Sequence, residues 1–220
     1  MKVEDFDKIY VLHLSNRKDR YEEMKKEFTR VDLWDKIDIW WTCKRPISSM
    51  IGDALLTLHT PDYDKIRKVN KDIYGAVFNC SFEHYTIIKT SYERGFNNIM
   101  IFEDDVNFVN DRKYFDLCLS KIPDNYELCK LQHSFSDDLT EYTDTSLPLF
   151  SNLTDAYGLQ STAAYCLSRD GMKNMIKSYE LRFSVADIAF VYILQTEPKK
   201  FYKNNHKIIT INNIKSDILK

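Results

Sequence analysis

The chain has 220 residues, of which 44% are hydrophobic and 29% charged, with a formal net charge of -2. That length suits a single domain, taken as residues 1–220, with a sizeable core. The near-balanced charge gives no global basic character, so a nucleic-acid backbone is a poor default partner, and the longest apolar run, Ile188 to Leu194, is too short to span a membrane.

Met1 to Asp7 carries three acids and no apolar core, so no signal peptide is read there. The expected location is cytoplasmic, with peripheral membrane association left open. The five cysteines, Cys43, Cys80, Cys118, Cys129 and Cys166, are odd in number and show no C-x-x-C spacing. They read as small core residues of a reducing compartment, not as a disulfide frame or zinc site. Only 5 Gly and 5 Pro are present, and no linker or internal repeat stands out.

In chain order, Lys8 to Ser15 reads as a strand. Asn16-Arg17-Lys18-Asp19-Arg20 follows and leads into a helix from Asp19 to Val31, striped by Tyr21, Met24, Phe28 and Val31. Arg17 and Arg20 sit beside a helix N-terminus, where backbone N–H groups favour anions. They read either as a phosphate contact or as ordinary surface arginines. Asp38 to Thr42 reads as a second strand, and Cys43 to Asp72 as an irregular excursion of the kind that forms lids or substrate walls.

Gly75 to Gly95 is the strongest helix, closed by Gly95 as its C-cap. Val77, Cys80, His84, Ile87, Ile88 and Ser91 share one face. His84 therefore lies on an apolar stripe, either as a hydrogen-bonded core histidine or as a functional group.

Asn98 to Val106 runs five mostly apolar residues into Glu103-Asp104-Asp105. So short an apolar run reads as a buried strand. In open α/β sheets ligands gather at the C-terminal strand ends, where these acids lie. Alternation turns Glu103 and Asp105 one way and Asp104 the other. Adjacent anions repel unless something positive separates them. A divalent cation with a phosphate co-ligand meets that need. The alternative is a solvated acidic turn.

Asp111 to Leu119 reads as a short helix, Glu127 to His133 as a strand, and Ser134 to Leu159 as a second long loop. Ser161 to Ser168 reads as a buried strand, Arg169 to Tyr179 as a helix, and Asp187 to Gln195 as a short apolar helix begun by an acid. Lys199 to Ile211 reads as an edge strand. Alternating strands and helices give an α/β sheet with helices on both faces.

Three of these stretches together resemble glycosyltransferase family 25, which includes bacterial lipooligosaccharide β-galactosyltransferases and collagen galactosyltransferases. The first is Ile9 to Arg20, a strand with its arginine turn. The second is Asn79 to Val106, where Cys80 and His84 match the family's helix and Glu103-Asp104-Asp105-Val106 its acidic motif. The third is Ser161 to Gly171, with Thr162-Ala163-Ala164-Tyr165 and Leu167-Ser168-Arg169. Asp187, in Ser184-Val185-Ala186-Asp187, completes the order. The chain departs from the pattern at Glu83 and Asn79, where the family usually has Ser and Gly.

The resemblance implies a GT-A-like fold with a mostly parallel central sheet, a UDP-sugar donor, inversion at the anomeric carbon, and a Mn²⁺ or Mg²⁺ ion that offsets charge on the leaving diphosphate. On that basis Asp105 is the first candidate metal ligand and Glu103 the second. Asp104 holds the ribose or fixes the turn, and Arg17 and Arg20 hold nucleotide or phosphates. Asp187 is the first candidate general base, Asp155 the second, and His84 orients the donor. The acceptor is a glycan, a lipid-linked glycan or hydroxylysine. A metal-dependent nuclease or phosphotransferase is disfavoured, because Glu127 and Lys130 lack the usual acid-x-Lys spacing. A non-catalytic binding domain on the same fold stays open through Glu83.

Overall fold

The computed structural model describes residues 1–43, 71–133, 138–143, 147–153, 161–181, 186 and 200–212, with backbone alone for 71–78. Its strands are β1 (Lys8–Leu14), β2 (Ile37–Thr42), β3 (Asn98–Glu103), β4 (Val106–Phe108), β5 (Leu128–Lys130), β6 (Phe150–Asn152), β7 (Ala164–Ser168), β8 (Phe201–Asn204) and β9 (Ile209–Ile211). Its α-helices are α1 (Lys18–Arg30), α2 (Lys71–Glu93), α3 (Arg112–Ser120) and α4 (Arg169–Leu181).

The main sheet has seven strands in the order β2-β1-β3-β7-β5-β8-β6. Five of them, β1, β2, β3, β5 and β8, share one direction, while β7 and β6 run against them. This is the expected α/β class with a mostly parallel central sheet.

Period-two alternation decides what each face buries. Ile9 and Val11 of β1, Met100 and Phe102 of β3, Cys166 of β7 and Cys129 of β5 pack on one face, against Met24 and Phe28 of α1 and Phe115, Cys118 and Leu119 of α3. Tyr10 and Leu12, Ile99 and Ile101, Tyr165 and Leu167, and Leu128 fill the other, against Ile87 and Ile88 of α2 and Met172, Met175 and Tyr179 of α4. Helices thus cover both faces, as the alternation of elements implied.

Helices α1 and α2 end in the same way. Gly95 has φ +83°, its N–H bonds Tyr92 O at 3.1 Å, and the Phe96 N–H bonds Ser91 O at 3.2 Å. This pair of reversed bonds needs a left-handed residue, and Gly supplies it without a Cβ clash. After α1, Asp32 takes that position with φ 53°, and the Leu33 N–H reaches back to Phe28 O at 2.8 Å.

The sequence expectations differ from the structure at several points. The stretch read as one loop, residues 134–159, contains β6, and the single edge strand expected over residues 199–211 is two strands. Of these, β8 is interior, between β5 and β6, and β9 pairs with β4 in a separate two-stranded sheet. The break falls at Asn205 and His206, where the backbone leaves β8 and the Asn205 N–H bonds Leu149 O at 2.8 Å. Strands of three or four residues are too short to print a period. Cys118, Cys129 and Cys166 are buried as expected, whereas Cys43, just past β2, is exposed. The excursion at residues 44–70, the acidic loop residue Asp155 and the segment beginning at Asp187 lie outside the described residues.

Candidate active site

The acidic run closes β3, and alternation distributes its side chains to the two sides of the sheet. Phe102 faces α1, so Asp104 follows it there. Ile101 faces α2, and Glu103 follows it. Each carboxylate meets a different set of partners.

On the α1 side, Asp104 is buried and doubly held. His13 Nδ1 lies 2.7 Å from its Oδ2, and Arg20 Nη1 donates to its Oδ1 at 2.6 Å. His13 extends the inward register of Ile9 and Val11 past the end of the apolar run. Arg20 occupies the core-facing line of α1, one turn before Met24 and two before Phe28, and it is buried with them. An arginine in an apolar line is costly unless paired. Here Nη2 also reaches Asp105 Oδ2 at 3.2 Å, so one guanidinium bridges two neighbouring carboxylates. Burial opposes its charge, but Asp105 and Asp104 raise the guanidinium above its ordinary value. Arg17, by contrast, clasps the exposed Asp19 at 2.7 Å at the start of the same helix.

On the α2 side, Glu103 accepts the Thr162 hydroxyl at 2.5 Å and faces His84 Nε2 at 3.5 Å. His84 is 1% exposed, and its Nδ1 lies 2.8 Å from the Tyr165 hydroxyl. Burial alone would raise Glu103, but His84, the Thr162 hydroxyl and Arg20 together hold its carboxyl below the usual range. Behind it, Lys130 is fully buried, with Nζ 5.7 Å from the centre of the Tyr165 ring and donating to Ser161 O. The Ser161 hydroxyl bonds Gln132 Oε1 at 2.5 Å, and φ 74° at Ser161 swings Thr162 onto Glu103. Glu83, at the departure from the family pattern, is buried and accepts the Trp40 indole N–H at 2.8 Å.

Asp105 lies in the turn beyond β3. Its carbonyl accepts the Asn212 N–H at 2.6 Å, which ties the turn to the end of β9. Its Oδ1 is buried and has no hydrogen-bond partner among the described residues. Burial first, then Glu103, push its carboxyl up to about 7, with Asp104 adding and Arg20 opposing. An unsatisfied carboxylate oxygen among acids is the feature a hard divalent cation would relieve.

The structure therefore brings Arg20, His84, Glu103, Asp104 and Asp105 together at one end of the sheet. It adds His13, Thr162, Tyr165, Lys130 and Gln132, none of which had been given a site role. The alternation of Lys130 and Gln132 with Cys129 and Leu131 was the one local signal that either faces a strand's own side.

The raised carboxyl has a measurable consequence. The folded chain binds this proton more tightly than the unfolded chain, whose Asp titrates near 4. Stability carried by the group is full below about pH 4 and is lost as pH rises to about 7. Cation-free Asp105→Asn is therefore expected to melt above wild type at about pH 8, by on the order of 2 kcal/mol. The advantage should grow between about pH 4 and 7 and then level off. A gap independent of pH in thermal melts would refute the assignment.

Carboxylates at the C-terminal end of a central strand, one buried and two partly buried, with an arginine and histidines turned onto them, define an α/β enzyme-type site at the position where such sheets take ligands. The match to known families makes this specific. Residues 6–189 match the model of glycosyltransferase family 25 (LPS biosynthesis protein), and the chain belongs to that family. Among curated relatives, the human protein named inactive glycosyltransferase 25 family member 3 is 26% identical over 207 residues, covering 90% of this chain and 33% of the relative. Human procollagen galactosyltransferase 2 is 22% identical over 189 residues, covering 78% of this chain and 27% of that protein. The chain thus spans about a third of the length of the curated relatives it matches. Among solved structures, a glycosyltransferase involved in glycosylation of the major capsid of PBCV-1 aligns over 96% of this chain and 95% of that one, at 11% identity and a TM-score of 0.47. No helix among the described residues is long and apolar enough to cross a membrane.

Proposed function

We propose that the chain is a metal-dependent, inverting glycosyltransferase that moves galactose or a related hexose from a UDP-sugar to a hydroxyl of a glycan, a lipid-linked glycan or a hydroxylysine-containing protein. The observation that carries this reading is Asp105, a partly buried carboxylate whose buried Oδ1 has no hydrogen-bond partner among the described residues and which lies beside two further acids. Family membership supports the nucleotide-sugar donor, and the name of procollagen galactosyltransferase 2 supports galactose.

In this reading Asp105 and Glu103 hold Mn²⁺ or Mg²⁺, both of which prefer carboxylate oxygens. The bound cation supplies a Lewis acid for charge building on the departing diphosphate. Arg20 fixes Asp104 and Asp105 in place and opposes the rise of the Asp105 carboxyl. Arg17 stands at the N-terminus of α1, where an incoming phosphate would compete with the exposed Asp19 for its guanidinium. His84, locked by Tyr165, orients the donor from the α2 side. Asp187 takes the proton from the acceptor hydroxyl.

A thermal-shift and turnover screen of UDP-sugars, with and without Mn²⁺, tests the reading. Stabilisation and transfer that both need the metal are expected; neither response from any donor would end it. Asp187→Asn should keep donor binding while transfer falls about 100-fold, the scale lost with a general base. Parallel loss of donor binding would make Asp187 a donor residue instead.

A second reading is a non-catalytic binding domain. The human and cattle family members 3, 26% and 25% identical to this chain, are named as inactive and probably inactive. Metal-dependent stabilisation by a UDP-sugar without turnover would favour it.

A further inference from the structure

The side of Glu103 that faces α2 carries a second, chemically different set of donors. Cys80 and His84 are four residues apart on α2 and so project from one helix face. Cys80 Sγ, a ring nitrogen of His84 and a Glu103 carboxylate oxygen all lie within 4.8 Å of one another. His84 Nε2 is the informative atom. It belongs to a residue 1% exposed, it has no hydrogen-bond partner among the described residues, and it points at Glu103 Oε1 at 3.5 Å. The other ring nitrogen is occupied by the Tyr165 hydroxyl at 2.8 Å. With the ring proton on Nδ1, a bare nitrogen lone pair faces a carboxylate. With the proton on Nε2, the separation is too long for a good hydrogen bond. A metal ion between them resolves both cases. Two bonds of about 2.0–2.1 Å at a tetrahedral centre put their donor atoms about 3.4 Å apart, close to the spacing present.

We propose that Cys80, His84 and Glu103 form a site for a Zn²⁺-class divalent cation, with three protein ligands and a fourth position open to solvent or substrate. The donor set decides the metal. Thiolate and imidazole suit zinc, whereas Mg²⁺ and Mn²⁺ prefer the all-oxygen surroundings at Asp105. Tyr165 fixes the ring as an outer partner of the ligating histidine. On binding, the Cys80 thiol gives its proton to solvent, the imidazole binds as a neutral ligand, and the thiolate and carboxylate balance the two positive charges of the ion. The site is tested apart from the sugar donor, and Glu103 and His84 are the residues common to both readings.

The test uses the full chain, stripped with a chelator and titrated with Co²⁺ alone, a zinc surrogate with visible spectra. One equivalent is expected to give a sulfur-to-cobalt charge-transfer band and the intense visible bands of a four-coordinate ion, both displaced by Zn²⁺. Cys80→Ser should lose the sulfur band, and Tyr165→Phe should bind Co²⁺ about 10-fold more weakly, the lower end of the range for an outer partner. On wild type, Zn²⁺ should slow alkylation of Cys80, read by peptide mass, at least tenfold, while the exposed Cys43 serves as the internal control. A spectrum without a sulfur band, a band unchanged in Cys80→Ser, or undiminished alkylation of Cys80 would each overturn the site. A failed UDP-sugar screen beside an intact cobalt spectrum would overturn the donor proposal alone.

Discussion

Replacing Arg20 with methionine is expected to destabilise the chain by about 3–5 kcal/mol at about pH 8, because it leaves buried charges without their partner. One guanidinium touches Asp104 at 2.6 Å and Asp105 at 3.2 Å. Methionine keeps most of the packing against the line of Met24 and Phe28, so the loss isolates charge from volume. The pH dependence gives the sharper reading. Burial and Glu103 push Asp105 up to about 7 against the opposing Arg20, so losing Arg20 pushes it higher still and acidification readily neutralises one of the two stranded carboxylates. The penalty should shrink by about pH 5, and adding Asp105→Asn to Arg20→Met should recover a large part of it at about pH 8. Denaturant melts of the two single variants and the double variant measure this. A penalty equal at both pH values, or strictly additive variants, would show that Arg20 acts through packing.

Gly171→Ala should cost about 3 kcal/mol, toward the upper end for overpacking. A Cβ on Gly171 would lie 1.8 Å from the carbonyl oxygen of Glu127 and 2.7 Å from its carbon. Those are backbone atoms, so no rotamer change relieves the contact. The same carbonyl accepts the Ser168 N–H at 3.1 Å, and Asn174 Nδ2 holds the Glu127 side chain at 2.8 Å. The glycine lets the first turn of α4 rest on the start of β5. Alanine would otherwise favour a helix by about 1 kcal/mol, so propensity alone predicts the opposite sign. A melting temperature at or above that of wild type would show that the two segments separate freely.

What could be read in advance follows how far each signal reaches along the chain. The ends of α1, the C-cap at Gly95 and the end of β3 are local, written in periods and single residues. So was the parting of Glu103 and Asp104 to opposite faces, since alternation needs only the strand. Asp105 was placed with Glu103 by the same rule; β3 stops at Glu103, and Arg20 ties Asp105 to Asp104 as well, while Glu103 still acts on its carboxyl. The resemblance to family 25 identified His84 and both arginines, and the structure separates the two arginines into a buried clamp and a surface pair. Lys130 and Tyr165 were missed because their roles depend on pairing between β5 and β7, which no local pattern announces. Glu83 shows the same limit. Beside a family pattern it is a departure, whereas in the fold it is the acceptor for Trp40.

The antiparallel course of β7 beside β3 also bears on how the protein reaches its native state. Thr162 enters β7 just where Glu103 leaves β3, so the contact joins residues 59 apart, while His13 and Asp104 are 91 apart. Contacts this distant in sequence repay their loop-closure entropy only after the intervening chain has ordered. During synthesis His13 and Arg20 emerge before Asp104 and Asp105, whereas Glu103 emerges 59 residues before Thr162, so only its side of the strand end waits for the segment leading into β7.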